Sequence, residues 1–584
     1  MRILLSLLLV FWAAWGTLSA QKRCVRIQVV QTSDVHGNFY PYDFVQKRAS
    51  EGSLARLSTL VNEQRKEYGK NLLLLDNGDI LQGQPTVYYY NYIDTLSVHL
   101  AARMLNYLHY DVGCMGNHDI ETGRCVFERW ASQCEFPILG ANIVDQKSGL
   151  PIFKPYEILE RDGVKIAVLG MVTPAIPVWL PEMLWKGLSF IDMEQTARYW
   201  MKIIREKEQP DLVIGLFHAG SRAETLGQLY RENASVEIAQ RVPGFDAVLI
   251  GHDHSPSNEW VTNVAGKKVL VLNPGGNARM ACLLNLEFTV DGNRVIRKHM
   301  GGELVYLKNL EPDKDFLNTF SDDYRNVSRF VERRIGTIDR TISARDAYFG
   351  PSHFMGLIHH LQLAISGADI SFAAPLSNES EIKKGEITVS DMFTLYKYEN
   401  QLYTMILTGQ EIKDALEMSY ALWSNRMKKA DDHLLLLKES QKGKSKIFHL
   451  ANQSFNFDSA AGINYTVDVT QPKGKRVLIS SLSDGSPFDL KAQYRVAVNS
   501  YRGNGGGNLL TEGAGIPKQE LAKRILTATD KDLRYYLMKY IENQPNLVPQ
   551  KLNNWKFVPE AWTVPAAQRD YQLLFPYEIK EIHN

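Results

Sequence analysis

Cysteine is scarce in this chain, with five residues and no Cys-x-x-Cys spacing, so a thiolate metal site is not expected. Neither sign of charge dominates: Lys and Arg number 66 against 65 Asp and Glu. That balance leaves no electrostatic footprint for polymeric nucleic acid, whereas a small anion needs only local positive charge, which bound cations supply. Internal repeats are absent, as are apolar runs of spanning length beyond the first twenty residues. Residues 1–20 have a basic start at Arg2, an apolar stretch and a small-residue end, the layout of a secretory signal peptide. Residues 578–584 are polar and do not read as a GPI signal. The expectation is an exported protein without a transmembrane anchor, in a periplasm or an extracellular space.

A chain of 584 residues, 45% hydrophobic and 22% charged, exceeds one ordinary core and predicts at least two globular domains. Residues 21–312 alternate short apolar runs with helix-like segments at 53–66, 93–108 and 194–207, the pattern of a layered α/β domain. Residues 313–336 turn polar, with Phe316, Phe320, Tyr324, Val327 and Val331 at helical spacing, and read as a linker helix. A second domain, 337–544, mixes strand-like runs (368–373, 403–407, 494–498) with helices at 354–366 and 410–422. Residues 545–584, rich in proline and aromatics, follow as an extension over a surface. Cys125 and Cys134 are close enough in sequence to pair in an oxidising compartment.

The chemistry lies in five polar segments, each following a short apolar run. They are Thr32-Ser33-Asp34-Val35-His36-Gly37, Asp76-Asn77-Gly78-Asp79, Gly116-Asn117-His118-Asp119, Phe217-His218-Ala219-Gly220 and Gly251-His252-Asp253-His254. Strands that end in Asp, His or Asn line up those side chains along one edge of a sheet, where open α/β folds bind ligands. Any one segment would be an ordinary polar turn; five in one chain point to a site. Asp34, His36, Asp79, Asn117, His218, His252 and His254 are hard or borderline donors that suit divalent Zn, Mn, Co or Fe. Seven donors exceed one tetrahedral ion, and a carboxylate can bridge two. Two ions about 3.5–4 Å apart clamp both oxygens of a phosphoryl transfer and make metal-activated water the nucleophile.

The five segments resemble the calcineurin-like metallophosphoesterases. With the second domain, the mature chain resembles the exported 5'-nucleotidase and 2',3'-cyclic-nucleotide 2'-phosphodiesterase superfamily. The resemblance implies a four-layer α/β/β/α sandwich joined by the linker helix to an α+β nucleotide-specificity domain. It implies one metal held by Asp34, His36 and His254, a second by Asn117, His218 and His252, and Asp79 bridging them. His118 is implied to donate hydrogen bonds or a proton to the phosphoryl group. Relatives orient this His with an Asp three residues on; here Glu121 stands there, with Asp119 as the alternative.

Substrate selection falls to the second domain. Phe455-Asn456-Phe457-Asp458 and the glycine-rich turn from Asn499 through Gly505, Gly506 and Gly507 suit a base clamp. The superfamily's stacking aromatics match Phe457 and Tyr501. Metals on one domain and a clamp on the other imply a cleft between them. The 5'-nucleotidases carry Gly-Gly-Asp-Gly in this turn, the Asp binding ribose hydroxyls, whereas this chain has glycine at 507. With Phe372-Ala373-Ala374-Pro375 and Leu395-Tyr396-Lys397-Tyr398, the pattern looks more like the branch acting on 2',3'-cyclic nucleotides and 3'-nucleotides. The alternatives are a 5'-nucleotidase or nucleotide-sugar hydrolase on the same scaffold and, further off, a nonenzymatic nucleotide-binding surface protein.

Overall fold

The computed structural model describes residues 22–222, 231–442 and 445–576; the expected signal peptide and residues 577–584 lie outside them. Two six-stranded sheets form the first domain. In one, β1 (Arg23–Thr32), β2 (Leu72–Asp76), β3 (Val112–Cys114) and β4 (Ile138–Leu139) run parallel, and β11 (Met280–Asp291) then β12 (Arg294–Tyr306) extend the sheet beyond β1 by antiparallel pairing. In the other, β6 (Val164–Val172), β7 (Leu212–His218), β8 (Ala247–Ile250) and β10 (Lys268–Asn273) are parallel, edged by β5 (Tyr156–Arg161) and β9 (Ser257–Thr262).

The apolar runs of β2, β7 and β8 are continuous because their strands are buried on both faces. Leu73 and Leu75 face the opposite sheet, where Ile214, Leu216 and Leu249 meet them. Leu72 and Leu74 face outward onto α1 (Leu54–Tyr68) and α2 (Leu100–Leu108). Val213, Phe217, Val248 and Ile250 do the same against α4 (Met193–Ile203) and α5 (Ser235–Arg241). Helix, sheet, sheet and helix thus stack as four layers.

The helix expected over 93–108 starts only at Leu100. The Asp94 carboxylate accepts from Ser97 N (3.1 Å) and Oγ (2.7 Å), a local turn that competes with helix. His99 Nδ1 then caps Ala101 N at 3.1 Å. The linker is two helices, α6 (Lys314–Thr319) and α7 (Ser321–Glu332), rather than one. Phe316, Phe320, Val327 and Val331 are buried in the first domain's core, and Arg103 pairs with Asp323 at 2.7 and 3.0 Å. This segment is a packed wall of the first domain.

The second domain is built on a five-stranded sheet ordered β15 (Ser459–Ala461), β13 (Ile370–Ala373), β16 (Gln493–Asn499), β14 (Gln401–Thr408) and β17 (Ile525–Asp532), with α8 (His353–Ser366) and α9 (Gly409–Trp423) against it. The tail is woven in. Trp555–Val558 pairs with Ile463–Asp468, and Asp570 of α10 (Glu560–Leu574) accepts from Leu434 N and Leu435 N. Tyr88 reaches across from the first domain to Phe393 (5.2 Å) beneath the Arg534 guanidinium (5.1 Å). All five cysteines are free thiols, Cys125 and Cys134 included. Among the described residues no helix is long and apolar enough to cross a membrane.

Candidate active site

Parallel pairing fixes the direction of β1, β2, β3, β7 and β8, so their carboxyl ends open on one edge and the five polar segments converge there. The backbone turns sharply as it leaves the strands. Asp34, His36, Asp79, His252 and His254 all have left-handed φ, between 49° and 74°, a conformation that costs about 1–3 kcal/mol in a non-glycine residue and clusters at functional sites. Hydrogen bonds between the segments hold it: Asp34 N to Gly78 O (2.9 Å), His36 N to Asp79 O (3.0 Å) and His252 N to Asp34 Oδ2 (3.0 Å).

Two groups of donors result, Asp34, His36 and His254, and Asp79, His218 and His252. In the first, His254 Nε2 lies 3.0 Å from His36 Nε2 and 3.2 Å from Asp34 Oδ1. In the second, His218 Nε2 lies 3.1 Å from both Asp79 Oδ2 and Asn117 Oδ1. The groups adjoin, with Asp34 Oδ1 3.9 Å from His218 Nε2. Imidazole nitrogens and buried carboxylates converging in this way fit borderline divalent cations. His36 and His218 turn their Nδ1 atoms to the carbonyls of Gln82 and Asn77, which aims Nε2 into the site.

The charges suit that task. Burial alone would raise Asp34, but the charge of His218 and a hydrogen bond from His254 hold it at about 2. Asp79 is likewise held well below the usual range, burial being outweighed by His218 and His118. Burial drives His36 down to about 4, so its nitrogen carries a free lone pair at neutral pH. His218 is pushed up to about 10, burial being overcome by Asp79 and Asp34. It must lose that proton to serve as a ligand, so metal uptake releases protons.

His118 is the second residue of the short helix α3 (Asn117–Glu121), its ring 5.4 Å from that of His36. Its Nδ1 lies 2.5 Å from Glu121 Oε2. Burial would lower its pKa, but Asp79 and then Glu121 raise it to about 9, which keeps it protonated. Asp119 is fully buried and accepts from four backbone N–H groups, those of Asp79, Ile80, Leu81 and Gly116, each at 2.9 Å. Asp119 therefore shapes the loop, and Glu121 is the carboxylate that reaches His118.

A cavity of about 1040 Å³ runs from Asn117, His118, Glu121 and His252 into the second domain. Asn499, Tyr501, Gly505, Gly506 and Gly507 line it. Phe457 does not, which corrects the expectation drawn for it. It is 1% exposed and stacks on Trp423 at 5.6 Å and 4°, inside the domain core. The 3₁₀ turn Ser454–Asn456 sends Phe455 to the cleft instead, edge-on to Tyr501 (6.0 Å) and to Tyr398 (6.4 Å). Tyr398 and Phe455 were missed as site residues because nothing in the pattern tells which aromatic of each segment points outward.

The glycines of the turn are there for contact. A Cβ on Gly506 would stand 2.5 Å from the Tyr501 ring, and one on Gly507 2.0 Å from Asn456 Oδ1. The side-chain space at 507 is thus occupied by Asn456. Arg502, 2% exposed, joins the two segments by pairing with Asp458 at 2.8 and 3.0 Å and donating to Phe455 O and Gly506 O.

Residues 27–256 match the family model of the calcineurin-like phosphoesterases, and residues 334–512 that of the 5'-nucleotidase C-terminal domain. The chain is 25% identical over 613 residues to a 2',3'-cyclic-nucleotide 2'-phosphodiesterase/3'-nucleotidase of Yersinia enterocolitica, covering 93% of this chain and 90% of that one. It is 27% identical over 599 residues to the trifunctional nucleotide phosphoesterase protein YfkN of Bacillus subtilis, covering 92% of this chain but 39% of that longer protein. A solved structure of a Staphylococcus aureus protein described as a 5'-nucleotidase shares the fold, with a TM-score of 0.74 at 22% identity over 91% of this chain and 99% of that one. The chain thus joins a calcineurin-like phosphoesterase domain to a 5'-nucleotidase C-terminal domain, the architecture of a hydrolase that acts on phosphoric esters.

Proposed function

We propose that this protein is an exported dinuclear-metal phosphoesterase that hydrolyses 2',3'-cyclic nucleotides and 3'-nucleotides. The observation that carries the reading is the closed side-chain space at Gly507, where Asn456 stands in place of a carboxylate. A carboxylate there would accept from a pair of free ribose hydroxyls, and a 2',3'-cyclic phosphate has none to offer.

In this reading Asp34, His36 and His254 would hold one divalent cation and Asn117, His218 and His252 the other, and the Asp79 carboxylate would be shared by the two groups. Bound there, the pair supplies a nucleophilic water at neutral pH and neutralises charge on the phosphoryl group. Glu121 holds His118 Nδ1–H, leaving the opposite N–H free to donate to the phosphoryl group and to pass its proton to the departing ribose oxygen. Tyr398, Phe455 and Tyr501 line the far side of the cleft and offer a ring face to the base, a stacking contact contributing about 1–3 kcal/mol. The test is the ratio of kcat/KM for 2',3'-cyclic AMP, 3'-AMP and 5'-AMP. Preference for the first two is expected. Dominant hydrolysis of 5'-AMP would overturn the substrate assignment and leave the phosphoesterase chemistry in place.

A further inference from the structure

An imidazole that ligates through one nitrogen needs a partner for the other. His36 and His218 use main-chain carbonyls. His252 is held differently, its Nε2 lying 2.9 Å from Glu232 Oε1. Glu232 lies outside the five polar segments, on the approach to α5, and reaches the cleft wall with its side chain 17% exposed. The next residue ties that stretch to the site, Asn233 Oδ1 accepting from Gly220 N at 3.0 Å, two residues after His218. On the cleft side of His252 the Trp179 ring lies nearly parallel to the imidazole, 5.6 Å away at 28°. Side chains thus fix the ring on two sides, and Nδ1 is the nitrogen left for the group formed with Asp79 and His218.

Among the described residues no Lys or Arg pairs with Glu232; its one ionic partner is His252. A divalent ion in the adjoining group would supply the positive charge that this carboxylate otherwise meets only in His252.

We propose that Glu232 is a positioning residue of the second metal group. It accepts the Nε2–H of His252, fixes the tautomer that leaves Nδ1 bare, and sets one more negative charge beside the cation. This rests on the dinuclear reading above. Carboxylate partners of metal-bound histidines change metal affinity by about 10–100-fold.

The test is a calorimetric titration of the full-length, chelator-stripped protein with Mn²⁺, without nucleotide, so the substrate assignment has no bearing on it. The parent is expected to show two binding steps. Glu232→Ala weakens one by about 10–100-fold and keeps the other, which also reports a folded chain. Glu232→Gln, whose amide oxygen still accepts from Nε2–H but carries no charge, weakens the same step by less than Glu232→Ala does. Two parental affinities in the Ala variant overturn the proposal, as do equal losses in the Ala and Gln variants. A parent that binds a single ion overturns the dinuclear reading along with it, and the parental trace alone tells that failure apart.

Discussion

His118 keeps its proton through two carboxylates placed by different parts of the chain, Asp79 from the turn after β2 and Glu121 from its own helix. An acid that must be protonated loses rate as pH rises through its pKa, and removing a neighbouring negative charge lowers that pKa. Glu121→Gln is therefore expected to move the alkaline limb of the kcat/KM profile to lower pH and to cut turnover, with metal content unchanged. An unmoved limb would remove Glu121 from the mechanism. At this scale the side chains that converge in the two donor groups were legible because their chemistry is a property of residue type. The extra methylene of Glu121 was legible too, but whether it reaches His118 depends on the first turn of α3. The face of each aromatic was not legible: a single 3₁₀ turn exchanges Phe457 for Phe455.

At the scale of elements, the site exists because parallel strands end level with one another and hand over to turns that cross at close range. Gly116 is where β3's exit passes under Asp79. A Cβ there would stand 2.2 Å from Asp79 Oδ1 and 2.3 Å from its backbone N. Gly116→Ala must push that carboxylate aside, at about 1–3 kcal/mol of overpacking. The expected result is a lower Tm and loss of bound metal as purified; a variant with parental Tm and metal content would contradict the account of this crossing. Strand positions were readable from apolar runs bounded by glycine and polar residues. The start of α2 was not, since apolar spacing continues through Asp94 and Ser97 while local side-chain hydrogen bonds end the helix.

At the scale of the molecule, two domains enclose one cleft, and their contacts lie on both sides of it. Asn504 Nδ2 donates to Trp179 O at 3.1 Å near the metal groups, and Tyr92 OH donates to Glu399 Oε2 at 3.2 Å further off. The domain count followed from length, and the cleft from finding the donor segments and the aromatic, glycine-rich segments in different parts of the chain. The packing of α6 and α7 into the first core, and of the tail into the second, arises from pairings between distant residues such as Tyr40 with Phe320 and Leu434 with Asp570, which no local pattern encodes. What unites the scales is the claim that the two donor groups form one hydrolytic centre. The most direct measurement strips the protein with a chelator and follows hydrolysis of 2',3'-cyclic AMP as Mn²⁺ is added back in known equivalents. The account predicts no activity at zero and a plateau at two ions per chain. A plateau at one ion, or turnover in the stripped protein, would contradict it.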